Sequence, residues 1–95
     1  MAAYVVLDAV VKDPLRYDDY RKRVTATLEP YGGKFLVRGG KVETLEGTWK
    51  PQRIVVVEFP DAASARAWWN SEAYADPKAI RQSASDTEMI LVEGI

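Results

Sequence analysis

The sequence contains no cysteine and no histidine. Without cysteine there is no disulfide and no thiolate nucleophile or metal ligand. Without histidine the chain lacks the commonest general base and the commonest haem and transition-metal ligand. A Ser-His nucleophile is therefore excluded at Ser71, and no metal site is expected. Charge of one sign is not in excess either: 13 basic residues stand against 14 acidic ones, for a net charge of −1. No basic surface for nucleic acid or for an acidic membrane is expected from that balance. Long apolar runs are missing, so no segment is expected to span a bilayer. The opening "MAAYVVLDAVVKD" has no basic segment before its short apolar run and carries an acid within it. It is expected to form a strand and not a signal peptide, which leaves a cytoplasmic protein as the expectation. No Walker or dinucleotide-binding glycine pattern occurs, and no cofactor is expected.

What is present is a chain of 95 residues with 47% hydrophobic and 28% charged residues, the composition of an ordinary globular protein. Its length predicts one domain, residues 1–95. "AYVVLDAVV" is β-branched and apolar, as a buried strand should be. Asp13 and Pro14 supply an N-cap and a first helical residue. Tyr17, Tyr20, Val24, Leu28 and Tyr31 follow at helical spacing as one buried stripe, and Pro30 with Gly32-Gly33 stops the helix. "KFLVRGGKVETLEG" reads as a strand interrupted by Gly39-Gly40, "TWKPQ" as a loop and "RIVVVEF" as a strand. "PDAASARAWWNS" opens a second helix capped by Asp61. Of its adjacent tryptophans, Trp68 and Trp69, one is expected in the core. "DPKAIRQSAS" reads as a short third helical segment begun by Asp76 and Pro77, with Ser71 and Tyr74 capping or bridging the turn before it. "TEMILVEGI" closes the chain as a strand.

This order is β-α-β-β-α-β, a split βαβ arrangement. It predicts an α+β fold: a four-stranded antiparallel sheet with both helices on one face. In the first strand Val5, Leu7, Ala9 and Val11 should face the helices, with Tyr4, Val6, Asp8 and Val10 on the open face. In the third, Arg53, Val55, Val57 and Phe59 share the helix side, and Ile54, Val56 and Glu58 the open one. A sheet with apolar residues on both faces needs a second cover, and two open faces meeting in a homodimer is the simplest one.

Taken together, "YGGKFLVRGG", "LEGTWKPQRIVVVEFP", "ARAWWNSEAY" and "ILVEG" resemble an uncharacterised family described as domain of unknown function 1330. The resemblance runs over nearly the whole chain. It implies a ferredoxin-like domain that pairs into a dimeric α+β barrel. The wider group of such barrels holds cofactor-free monooxygenases, isomerases, haem enzymes and plain ligand-binding modules, so the resemblance carries no reaction with it.

Five of the six glycines fall between Gly32 and Gly47, around Arg38, Glu46, Trp49, Arg53 and Glu58. Gly39-Gly40 would serve either a bulge that aims Arg38 or a backbone that a ligand approaches closely. They would equally serve a strand bent for barrel closure. Folding the second strand onto the third brings Arg38 near Glu58, where the two can pair. Arg38 and Arg53 suit a carboxylate or enolate held by forked hydrogen bonds, or else internal pairing with Glu46, Glu58 or Asp8. Asp8 and Glu58 are available for proton transfer, although antiparallel pairing should set them toward opposite ends of neighbouring strands. Tyr4 or Tyr20 can donate a proton, and Trp49 can act as a lid or a dimer anchor. These residues favour a homodimer that binds a small, anionic organic molecule beside the sheet. A cofactor-free oxygenase, isomerase or lyase, or a structural module with no ligand, are the other readings.

Overall fold

The computed structural model describes residues 1–95. Strand β1 (Ala3–Val11) leads into helix α1 (Pro14–Leu28), whose last turn tightens into a 3-10 segment, Glu29–Tyr31. Strands β2 (Lys34–Arg38) and β3 (Ile54–Phe59) follow, then helices α2 (Ala62–Trp69) and α3 (Glu72–Ala84), and strand β4 (Ser85–Glu93). The four strands form one antiparallel sheet in the order β2-β3-β1-β4. The helix ends form as the local chemistry dictates. Asp13 accepts the Arg16 N–H with Pro14 in the first turn, Asp61 accepts the Ser64 N–H, and Gly32 closes the segment after α1 in the left-handed conformation, φ 72°.

The helices cover one face of the sheet. Val5, Leu7 and Ala9 of β1 and Val55, Val57 and Phe59 of β3 are buried beneath them, with Tyr17, Tyr20, Val24 and Leu28 of α1 packed on top. Tyr31 lies half-buried at the end of that stripe. Trp68 is the core tryptophan: its indole N–H donates to Thr27 Oγ1 at 3.0 Å, and its ring packs on Phe59 and Tyr74. Trp69 is half-buried and packs on Tyr74. The opposite face carries apolar side chains with nothing over them, among them Val10, Val37, Ile90 and Val92, which are 39–60% exposed.

Two elements differ from the sequence reading. The second helical region breaks at Asn70, and α3 starts at Glu72, capped by Ser71, whose hydroxyl accepts the Tyr74 N–H. Pro77 thus lies inside α3 and not at its start. The Ser71 cap begins the helix a full turn before the proline, at the cost of the one backbone bond the proline cannot donate. The second strand ends at Arg38, and residues 39–53 run without regular structure. Gly39 ends it, at φ 72°, with its N–H on the Ile54 carbonyl.

Candidate functional site

The register of β2 on β3 decides where its side chains point. Lys34 opposes Glu58 and Phe35 opposes Val57, then the register slips so that Val37 opposes Val56 and Arg38 opposes Val55. Leu36 is the extra residue. A one-residue slip exchanges the two faces of a strand. Arg38, which an unbroken register would set on the open face, lies instead on the helix side. There it donates through Nη2 to the Arg21 carbonyl of α1 at 2.7 Å and through Nη1 to Thr25 Oγ1 at 3.4 Å, with its guanidinium stacked 4.2 Å from the centre of the Phe35 ring. The pairing of Arg38 with Glu58 is therefore not formed. Glu58 stays on the open face and pairs with Lys34 at 3.2 Å.

Arg53 reaches the same side from the residue before β3. On the open face Asp8 fixes its backbone: Oδ1 accepts the N–H groups of Gln52 (3.1 Å) and Arg53 (3.5 Å), and Oδ2 accepts the Trp49 indole N–H (3.2 Å). On the helix side the guanidinium lies 5.6 Å from the centre of the Tyr17 ring and passes across Gly39. A Cβ at Gly39 would collide with Arg53 Nη1 and stand 2.6 Å from its Cζ. The group that approaches the glycine so closely is thus the protein's own arginine. The neighbouring Gly40 has nothing within 4 Å.

Arg38 and Arg53 converge on a cavity of about 20 Å³ between the sheet and α1, room for about one water-sized molecule. Its walls are Val5, Leu7, Val55 and Val57 below and Tyr17, Tyr20 and Val24 above. The five ion pairs of the chain include neither Arg38 nor Arg53. Arg53 Nε is buried and has no hydrogen-bond acceptor. Partial burial lowers the pKa of the Arg38 guanidinium, and the positive charges of Arg21 and Arg53 lower it further. Two guanidiniums, exposed Arg38 and half-buried Arg53, neither in an ion pair, thus stand at the mouth of an apolar cavity.

Of the residues singled out from the sequence, Arg38, Arg53 and Tyr20 come together here. Tyr4, Asp8, Glu58 and Trp49 do not. Tyr4 opposes Glu58 across β1 and β3, Asp8 opposes Ile54 four residues away, and the exposed Trp49 is tied to Asp8. Asp8 holds the loop, and with three donors on it no acid/base dyad with Glu58 forms. No three Asp or Glu side chains gather as metal ligands would. Three participants were passed over. Tyr17 was legible only as part of the α1 stripe. Tyr74 and Arg81 lie behind Tyr20, in a stripe of α3 with Pro77 and Ala84. The signal for Arg81 was a charged residue at an apolar position of that stripe.

Solved structures share this fold. A protein of unknown function from Rhodopseudomonas palustris, RPA0582, superposes with a TM-score of 0.81 at 17% identity, covering 99% of this chain and 82% of that one. SnoaB, a cofactor-independent oxygenase from Streptomyces nogalater, gives 0.68 at 15% identity over 99% and 93%. A dimeric ferredoxin-like protein of unknown function from Jannaschia sp. CCS1 gives 0.69 at 10% identity over 99% and 100%. At these identities the likeness is one of fold, α+β and ferredoxin-like. No curated relative matches the sequence. The model of the family described as domain of unknown function (DUF1330) matches residues 2–95, and the chain belongs to that family.

Proposed function

We propose that the protein binds a small organic oxyanion, a carboxylate or enolate, with its charged group on Arg38 and Arg53 at the mouth of the cavity under α1. The observation that carries this reading is the buried Arg53 Nε with no acceptor, beside a second arginine that is in no ion pair. A guanidinium out of water costs free energy unless an acceptor meets it, and a planar carboxylate matches its fork. Arg38 keeps donors for this purpose because only two of its five N–H groups are engaged, by a carbonyl and a hydroxyl. The assay is a titration with short carboxylates, from formate to butyrate, followed by amide chemical shifts. Saturable shifts around β2 and α1 in the wild type, lost in Arg38→Met and weakened in Arg38→Lys, support the reading. Shifts that do not saturate, or that survive in Arg38→Met, refute it.

The protein acts as a homodimer in this account. Val10, Val37, Ile90 and Val92 leave an apolar face of the sheet uncovered, and a second copy presents the matching face. The dimeric Jannaschia protein of the same fold supports that assembly.

Cofactor-free oxygenation is the second reading. It is favoured by the apolar cavity beside the anion position, which has room for about one water-sized molecule, and by a fold shared with SnoaB. Dioxygen consumption dependent on an added enolisable carboxylate supports it; consumption equal to a protein-free control removes it.

A further inference from the structure

Behind the cavity lies a chain of hydrogen bonds that the anion site does not use. The hydroxyls of Tyr20 and Tyr74 are 3.0 Å apart. Arg81 Nε lies 3.3 Å from the Tyr74 hydroxyl, and Arg81 Nη1 donates to Thr87 Oγ1 at 3.0 Å. Arg81 is 2% exposed, Tyr74 is fully buried, and no carboxylate pairs with this arginine.

The direction of the chain follows from what each group can do. A guanidinium only donates, so the Tyr74 oxygen accepts from Arg81. The Tyr74 hydroxyl has one other partner, the Tyr20 oxygen. If Tyr20 donated across that contact, the proton of Tyr74 would be left without an acceptor on a side chain that no water reaches. A buried donor so orphaned is costly. In the opposite sense the fully buried Tyr74 is satisfied: Arg81 donates to Tyr74, and Tyr74 donates to Tyr20. The one proton left over is that of Tyr20, whose side chain lines the cavity at which Arg38 and Arg53 converge. Each donation also polarises the next hydroxyl, so the last donor is strengthened by the buried cation.

The geometry points to Tyr20 as the hydrogen-bond donor to the oxyanion held by Arg38 and Arg53, with Tyr74 and Arg81 as the positioning residues that aim its proton into the cavity. The inference rests on the anion-binding reading for its ligand, but not for the direction of the chain. Burial raises the pKa of the Tyr20 phenol, so it keeps its proton and stays a donor at neutral pH.

Two measurements test it. In ligand-free protein carrying ζ-13C tyrosine, nuclear magnetic resonance should find a slowly exchanging hydroxyl proton on Tyr74, close to the Tyr20 ring and absent in Tyr74→Phe. The Tyr20 hydroxyl proton should exchange faster. A slowly exchanging proton on Tyr20, directed at Tyr74, overturns the proposal. The second measurement titrates propionate into the wild type, Tyr20→Phe, Tyr74→Phe and the double variant. Tyr20→Phe should weaken binding about tenfold, the loss of one hydrogen bond to a charged group. Tyr74→Phe should weaken it nearly as much without touching the cavity, and the double variant no more than Tyr20→Phe alone. Unchanged affinity in Tyr20→Phe, or additive losses in the double variant, overturns the proposal; a purely structural role for the tyrosines predicts either of these. If the wild type binds no propionate, the anion-binding reading fails, and the hydroxyl protons alone decide the direction of the chain.

Discussion

Replacing Gly39 by alanine separates the cost of a backbone conformation from the cost of moving one arginine. Gly39 and Gly47 both have positive φ, 72° and 87°. A Cβ in that region costs about 1–2 kcal/mol at either position. At Gly47 the new methyl group meets nothing within 4 Å; at Gly39 it meets the Arg53 guanidinium. That guanidinium is the free end of a flexible side chain, so it moves aside and adds little to the loss of stability. The two variants should therefore lose similar stability, with melting points about 4–8 °C lower per kcal/mol for a domain of this size. Binding should part them. Gly47→Ala keeps its affinity for propionate, whereas Gly39→Ala expels Arg53 from the cavity mouth and should lose about tenfold or more, the value of a charge-assisted hydrogen bond. Gly40→Ala, with ordinary φ and open space, should change neither quantity by much. Urea unfolding at fixed protein concentration and propionate titration supply both measurements. Equal affinity in Gly39→Ala and Gly47→Ala would refute the claim that Gly39 exists to admit Arg53.

Three further outcomes are expected. Asp8→Ala leaves the Trp49, Gln52 and Arg53 N–H groups without their acceptor. It should cost about 1.5–3 kcal/mol, read from urea midpoints, while Asp8→Asn, which keeps one carbonyl oxygen, should cost less; equal losses contradict the pinning role. Tyr20 has a folded-state pKa raised by burial above its unfolded value. The stability it contributes is therefore complete below pH of about 10 and is lost as pH rises beyond, by up to about 1.4 kcal/mol per pH unit. Tyr20→Phe should flatten that alkaline decline in urea midpoints, and an unchanged slope would contradict the buried, protonated phenol. Finally, sedimentation at micromolar concentration should give twice the chain mass for the wild type and a monomer for Ile90→Glu on the open face; a monomeric wild type would remove the homodimer from the account.

The sequence disclosed whatever depends on local pattern. Val5, Leu7 and Ala9 against Tyr4, Val6 and Asp8 alternate as a strand with one buried face must, and Asp13-Pro14 and Asp61 start helices where their chemistry says they should. It concealed what depends on one residue of register. The slip at Leu36 moves Arg38 from the side of Glu58 to the side of Arg53 and Tyr20, and no glycine or proline marks that residue. Gly39 was legible as a place of close approach, but the partner, Arg53, comes from the far end of a fifteen-residue loop. Ser71 and Pro77 both offer to begin a helix. Only the packing of Tyr74 against Trp68 decides for the serine, because it needs the extra turn to be helical. Arg81 was concealed because a buried arginine with no carboxylate is intelligible only beside the Tyr74 hydroxyl it meets.

The central claim, that Arg38 and Arg53 together hold an organic anion, is tested most directly at the guanidinium nitrogens themselves. In protein labelled with 15N-arginine, the Nε–H signals of Arg38 and Arg53 should shift saturably, with one common dissociation constant, as propionate is added. The exposed Arg66 of α2, which does not line the cavity, should not move with them. If Arg53 Nε–H stays unchanged, or if all the arginines shift alike without saturation, the anion is not held there and the account is wrong.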